Sequence, residues 1–66
     1  MTWKKARKKP IIIEFREVKG LREVIRTREG TLFAVRDTDY VIKGIKGEIY
    51  PINKEIFNAT YEVLDE

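Results

Sequence analysis

The chain has 66 residues, with 14 Lys or Arg against 11 Asp or Glu, and its net charge is +3. This length fits one small domain and excludes two. It has no run of about 18 apolar residues and no apolar leader segment, so we expect neither a membrane span nor a secretory signal. The absence of His, Cys, Ser and Gln removes the usual catalytic nucleophiles, the usual general base and the soft metal ligands. We therefore expect a cytoplasmic protein that is not an enzyme and holds no cofactor.

The basic charge is concentrated at the start of the chain. Residues 1–9 carry five cations and no acid, whereas residues 10–66 carry 9 basic and 11 acidic groups. We predict a flexible basic N-terminal arm over residues 1–9 and a single small β-rich domain over residues 10–66. Lysine and arginine bind phosphates and tryptophan stacks on bases, although a short arm more often serves only solubility. The candidate nucleic-acid-binding residues of the arm are Trp3, Lys4, Lys5, Arg7, Lys8 and Lys9.

In so short a chain, the stabilisation from buried apolar surface barely exceeds the conformational entropy lost on folding. A domain of about 60 residues buries only roughly 60% of the surface that its unfolded chain exposes. Without disulfides or a Cys/His metal site, an Ile- and Val-rich core, self-association or a high charge content must add stability. The abundant Lys, Arg and Glu, with no Gln or Cys, are typical of heat-adapted proteins. Ile45 in a predicted loop and Ile52 beside a proline favour an apolar interface, so we expect a homo-oligomer with a thermophile-like composition.

Strand patterns begin directly after Pro10. Within the first pattern apolar and charged side chains alternate, as in a half-buried strand. Gly30 permits a tight turn between two of the strands, and Gly44 and Gly47 bracket a four-residue loop between two others, so the pattern predicts two hairpins. The predicted strands cover residues 11–18, 23–27, 31–36, 40–43, 48–50 and 61–64.

One short helical turn interrupts the strands. Pro51 cannot donate to a strand ladder, so it closes a strand or marks a sheet edge. Asn53 is placed to cap a helical turn near residues 53–58. The predicted fold class is all-β or β-rich α+β: a small barrel-like or strongly bent antiparallel sheet of five or six short strands with that one turn.

Two acidic residues offer a remote metal-site hypothesis. Asp37 and Asp39 stand two residues apart and can hold a hard cation such as Mg²⁺, with Glu48 as a third ligand. Such a site is the basis of a metal-dependent hydrolase. An Asp in a loop between strands more often bonds its own backbone, so we favour a structural role and predict no metal.

The three tyrosines are candidates for base stacking or for the core. Exposed aromatics interleaved with lysines are typical of sheets that stack bases. Tyr40 shares its face with Ile42, and Tyr61 shares its face with Val63. This parity favours core packing for both, and Tyr50 remains open.

The C-terminal half carries a recognisable signature, Asp-Tyr-Val-Ile-x-Gly-x-x-Gly-Glu-x-Tyr-Pro over residues 39–51 and Phe-x-x-Thr-Tyr-Glu over residues 57–62. It resembles a family of small uncharacterised proteins of tailed phages and prophages, and residues 8–14 and 29–31 are similar to that family too. The chain departs from the family at Asp37-Thr38, where members usually have Pro-Gly, and at Ile52, where they often have Cys. Members also tend to have a longer insert after the first strand.

The resemblance implies an origin and a context rather than a mechanism. We expect a phage or prophage accessory protein that acts by binding in the host cell cytoplasm, as an inhibitor of a host protein or a binder of a nucleotide-like ligand. The alternative is a nucleic-acid-binding module that uses the basic arm. For a small ligand we expect a site at a subunit interface, because one short chain offers little concavity. The candidate ligand-binding residues are Arg26, Arg36, Lys43 and Tyr50.

Overall fold

Five short strands form two antiparallel sheets, and one short helix follows the last strand. The computed structural model describes residues 2–65. The elements are β1 (Glu14–Glu17), β2 (Arg22–Thr27), β3 (Gly30–Val35), β4 (Asp39–Lys43), β5 (Ile49–Asn53) and α1 (Lys54–Thr60). One sheet has the order β1-β4-β5 and the other is the β2-β3 hairpin. The β-rich fold with bent sheets is as predicted, although the described strands do not close into a barrel.

Both predicted hairpins are present. In the first, Thr27 pairs with Gly30, so Arg28 and Glu29 form the turn. Gly30 has a φ of 137°, a conformation that side-chain-bearing residues rarely adopt. In the second, β4 pairs with β5 from Asp39 opposite Asn53 to Lys43 opposite Ile49. The glycines in both connections therefore serve chain reversal, as their positions predict.

The core lies between the two sheets and under the helix. Because β4 is the middle strand of its sheet, its two adjacent side chains Val41 and Ile42 are both buried, one on each face. Val41 clusters with Val18 and with Ile25 and Ala34 of the β2-β3 hairpin. The hairpin thus covers one face of the three-stranded sheet, and α1 covers the other.

An aromatic cluster fills the helix side of the three-stranded sheet. Phe57 of α1 is buried, and its ring centroid lies 4.6 Å from that of Phe15, 5.0 Å from that of Tyr40 and 5.2 Å from that of Tyr61. Tilted and edge-to-face pairs at these distances are stabilising. Half-buried Tyr40 packs here as its strand parity predicts, and half-buried Tyr61 packs here too, although residues 61–64 form no strand.

The helix begins where the sequence predicts and runs further. The Asn53 side-chain oxygen accepts hydrogen bonds from the backbone N–H groups of Glu55, at 2.8 Å, and Ile56, at 3.4 Å. This confirms the predicted N-cap. Pro51 lies within β5, which is an edge strand, so its missing N–H leaves no neighbouring strand unpaired.

Two predicted strand segments are wrong. Residues 11–13 lie outside β1, because β1 pairs with β4 only from Glu14 opposite Lys43 to Glu17 opposite Tyr40, and β4 ends at Lys43. Residues 61–64 form no strand either. Tyr61 has extended dihedral angles, φ −121° and ψ 155°, but no strand of the described chain lies beside it. Apolar and polar residues alternate in these two segments, but among the described residues neither segment has a neighbouring strand with which to pair.

No α-helix within residues 2–65 combines the length and the apolar character that crossing a bilayer requires.

Candidate functional site

A groove of about 770 Å³ separates the tips of the two hairpins. Residues 26–32 form one wall and residues 46–50 form the other, and we call it the two-hairpin groove. It exists because the β2-β3 hairpin packs across β5, which brings the turn of one hairpin beside the loop of the other. Two chain segments about 20 positions apart in sequence therefore share one site.

The charge in the groove favours an anion. Arg26, Arg28 and Lys46 supply three positive charges, while Glu29 and Glu48 supply two negative ones. Across residues 2–65 the ion pairs are Arg16–Glu23 and Lys54–Glu17, so the three groove cations have no carboxylate partner there. Their charge is available to a ligand.

Glu48 is committed to its own loop. Its Oε1 accepts a hydrogen bond from the backbone N–H of Lys46 at 2.9 Å. The carboxyl group lies against Gly44 so closely that a Cβ there would come within 2.5 Å of the Glu48 Cδ. Gly44 and Glu48 therefore shape the loop together, and the Glu48 carboxylate keeps its negative charge at the edge of the groove.

Tyr50 joins the groove to the arm. Burial raises the pKa of Tyr50, and the neighbouring Tyr61 and its hydroxyl raise it further. The Lys8 ammonium donates a hydrogen bond to the Tyr61 hydroxyl at 3.0 Å and lowers the pKa of Tyr61. The Lys8 Nζ also lies 4.1 Å from the Tyr61 ring centroid. The hydrogen bond between the two phenols raises the pKa of Tyr50 and lowers that of Tyr61, so Tyr50 donates its one hydroxyl proton to Tyr61 and offers the groove its ring and an acceptor oxygen.

The four predicted ligand-binding residues do not form one site. Arg26 and Tyr50 line the two-hairpin groove, together with Arg28 and Lys46, which that prediction omitted. Lys43 lines a separate depression of about 180 Å³ between β1 and β4.

Arg36 stands at the opposite end of its hairpin from the groove. It follows Val35, whereas Arg26 pairs with Thr31, so five strand positions separate it from the level of Arg26, roughly 16 Å at 3.3 Å per residue. Its guanidinium donates to the carbonyl oxygen of Val18 at 3.2 Å. Arg36 therefore holds the segment between β1 and β2.

The acidic pair of the metal hypothesis has a structural use. Asp39 Oδ2 accepts a hydrogen bond from the backbone N–H of Val35 at 2.8 Å and closes the turn between β3 and β4. Among residues 2–65 no group of three or more potential metal ligands comes together. The predicted structural role is thus observed for Asp39, through its backbone hydrogen bond.

The basic arm extends from the domain. Residues 2–12 are exposed, and the Trp3 side chain is 92% exposed. Lys8 is its anchor through Tyr61. Lys4, Lys5, Arg7 and Lys9 form no ion pair with any residue that the structure describes.

Comparison of the chain with models of protein families, with curated proteins and with solved structures finds no match. The signature residues of the predicted phage family have uses within the fold: Phe57 is buried, and the Thr60 hydroxyl donates to the carbonyl oxygen of Ile56 at 2.7 Å. Other signature residues, Gly47, Glu48 and Tyr50, line the two-hairpin groove.

Proposed function

We propose that the protein is a non-catalytic binding protein that takes an anionic, nucleotide-like ligand in the two-hairpin groove. The observation that carries the proposal is the convergence of Arg26, Arg28 and Lys46, none paired with a carboxylate in the described chain, on one concave surface beside Tyr50. Charge-assisted hydrogen bonds from such side chains are the common means of holding phosphates.

The groove's size and its remaining walls support the same ligand class. Ligand sites commonly enclose about 300 to 1,000 Å³, and this groove of about 770 Å³ lies in that range. Leu32 and Ile49 add apolar surface beside the cations, and the Tyr50 ring offers a surface on which a base can stack. A nucleotide has the matching parts, a phosphate group and a flat base.

The biological setting belongs to the same proposal. The resemblance to small phage and prophage proteins supports an accessory role in the host cytoplasm, in which the protein sequesters a nucleotide ligand. An inhibitor of a host protein is the alternative that the same setting allows.

Isothermal titration calorimetry with ATP and with inorganic tripolyphosphate tests the groove. We expect ATP to bind, and Arg26→Gln and Lys46→Gln each to weaken it about tenfold or more, since a hydrogen bond to a charged group contributes about 1.5–3 kcal/mol. Arg22→Gln and Lys43→Gln are matched controls, because neither residue lines the groove, and both are expected to bind as the wild type does. Tripolyphosphate binding without a preference for ATP points to a phosphate site alone.

Two results contradict the groove proposal. One is the absence of heat from both probes at millimolar concentration. The other is equal weakening by the groove variants and their controls, because this indicates general charge attraction rather than a site.

A second candidate function, nucleic-acid binding through the basic arm, has one specific observation in its favour. Four arm cations have no acidic partner in the described chain, while Lys8 fixes the arm to the domain. Fluorescence anisotropy with a labelled oligothymidylate is the test. We expect log Kd to change with log salt by about 0.7 for each phosphate neutralised, and deletion of residues 1–9 to abolish binding. Binding that survives the deletion rejects the arm as the contact.

A further inference from the structure

The β2-β3 hairpin has two faces with opposite environments. Ile25 and Ala34 on its inner face are buried against the three-stranded sheet. Val24 and Phe33 are direct cross-strand partners on the outer face, where they remain 52% and 68% exposed. We call Val24, Phe33 and Val35, three exposed apolar side chains on the same side of the hairpin, the outer hairpin face.

The chain exposes far more surface than a compact protein of its mass. Its accessible area is 6324 Å², against about 4400 Å² for a compact 7.8 kDa monomer. Its radius of gyration is 13.7 Å, whereas a compact domain of the same length has a radius of gyration of about 11 Å. The extended arm contributes part of the excess and the outer hairpin face another part. A standard interface covers about 800 Å² on each partner, so a dimer contact through this face must also take in the arginine stems that flank it.

A two-stranded hairpin is marginal alone, and here its inner face carries its attachment to the three-stranded sheet. Covering the outer hairpin face would make the hairpin the middle of three layers and bury more apolar surface.

The side chains on the two strands fit a second copy. On the outer face β2 presents Arg22 and Arg26 on either side of Val24, whereas β3 presents Thr31, Phe33 and Val35, which are uncharged. A two-fold axis along the hairpin sets β2 of one copy over β3 of the other. The arginine stems then lie over uncharged residues and not over each other, while the guanidinium groups stay outside the contact, so Arg26 still lines the two-hairpin groove in the dimer.

We infer that this protein is a dimer in which the outer hairpin faces of two copies pack against each other, with Val24 of one copy on Phe33 of the other. Such a contact is self-complementary, as a two-fold interface must be. It also directs both hairpin turns, and hence both two-hairpin grooves, toward the same end of the dimer.

Sedimentation equilibrium of the full chain tests the dimer without any ligand, so its failure and the failure of the groove proposal are distinguishable. We expect twice the mass of 7.8 kDa for the wild type at about 100 μM, a concentration a hundredfold above a micromolar Kd. Phe33→Lys should give the monomer mass, and the control Ile12→Lys, which changes an exposed apolar residue outside the face, should remain dimeric.

A second measurement covers the case in which Phe33→Lys fails to fold. Isotope-filtered NMR on a mixture of labelled and unlabelled wild-type protein should show contacts between Val24 methyl groups and the Phe33 ring of different copies. A monomeric wild type overturns the inference, and so does a dimer that persists in Phe33→Lys. A monomer that binds oligothymidylate through Phe33 overturns it too, because nucleic acid is then the occupant of this face.

Discussion

We expect low pH to weaken the attachment of the β2-β3 hairpin to β1, because one carboxylate of that attachment becomes protonated. Arg16 of β1 and Glu23 of β2 form a two-pronged ion pair, with N–O distances of 2.8 and 2.6 Å, and the Lys19 backbone N–H donates to Glu23 at 3.0 Å. The Arg16 hydrogen bonds, followed by the Lys19 N–H, lower the pKa of Glu23 from 4.5 to about 2. Since the folded-state pKa lies below the ordinary value, the stabilisation is complete above about pH 4.5 and is lost as the pH falls toward 2.

The magnitude follows from that pKa after correction for solvent. One pKa unit equals about 1.4 kcal/mol, so the full effect is about 3 kcal/mol. The Arg16 side chain is 41% exposed, and water and salt screen a pair of this kind. We therefore expect Glu23→Gln to lower the free energy of unfolding by about 1 kcal/mol at pH 7 and by almost nothing at pH 2.

Urea unfolding followed by far-ultraviolet circular dichroism measures this difference at pH 7, 5, 4, 3 and 2. One fixed protein concentration is needed, because the stability of a dimer depends on concentration. Subtracting the Glu23→Gln curve from the wild-type curve removes the other carboxylates, which titrate in both proteins. A difference that stays constant from pH 5 to pH 2 refutes the role given to Glu23.

Three substitutions test other parts of the fold by the same unfolding measurement. Phe57→Ala should cost about 3–5 kcal/mol, enough to unfold so small a domain, and a loss below 1 kcal/mol shows that the aromatic cluster is not the core. Asn53→Ala should cost about 1 kcal/mol and Asn53→Asp much less, whereas equal losses argue against the cap. Gly44→Ala should cost about 1 kcal/mol, because the new Cβ displaces the Glu48 carboxylate from the Lys46 N–H. The same substitution in a Glu48→Ala protein should cost much less, and an equal cost in both proteins contradicts this explanation.

Local sequence signals predicted the parts of the fold that depend on neighbouring residues. The Asn53 cap, the Gly30 turn and the edge position of Pro51 each follow from the backbone chemistry of one residue type. The burial of Tyr40 likewise follows from its place in the alternation along one strand.

Long-range pairing decided what the sequence could not predict. Residues 11–13 and 61–64 have strand-like alternation, but a strand needs a partner: β4 ends at Lys43, before it can pair with residues 11–13, and both of its edges are already occupied by β1 and β5. In the groove, Arg26 and Arg36 belong to the same hairpin and carry the same charge. Which of them lies near Tyr50 depends on how the hairpin crosses β5, and no local pattern encodes that crossing.

The central position of β4 has a consequence for how the molecule opens. β4 has hydrogen-bonded neighbours on both edges and covered side chains on both faces, so exchange of its amide hydrogens with solvent requires unfolding of the whole domain. The β2-β3 hairpin forms its own ladder and can swing away as a unit without breaking a strand pairing of the other sheet. Because one wall of the two-hairpin groove belongs to that unit, a swing of the hairpin would widen the groove at the cost of uncovering Ile25 and Ala34, while the strand pairings of β4 stay intact.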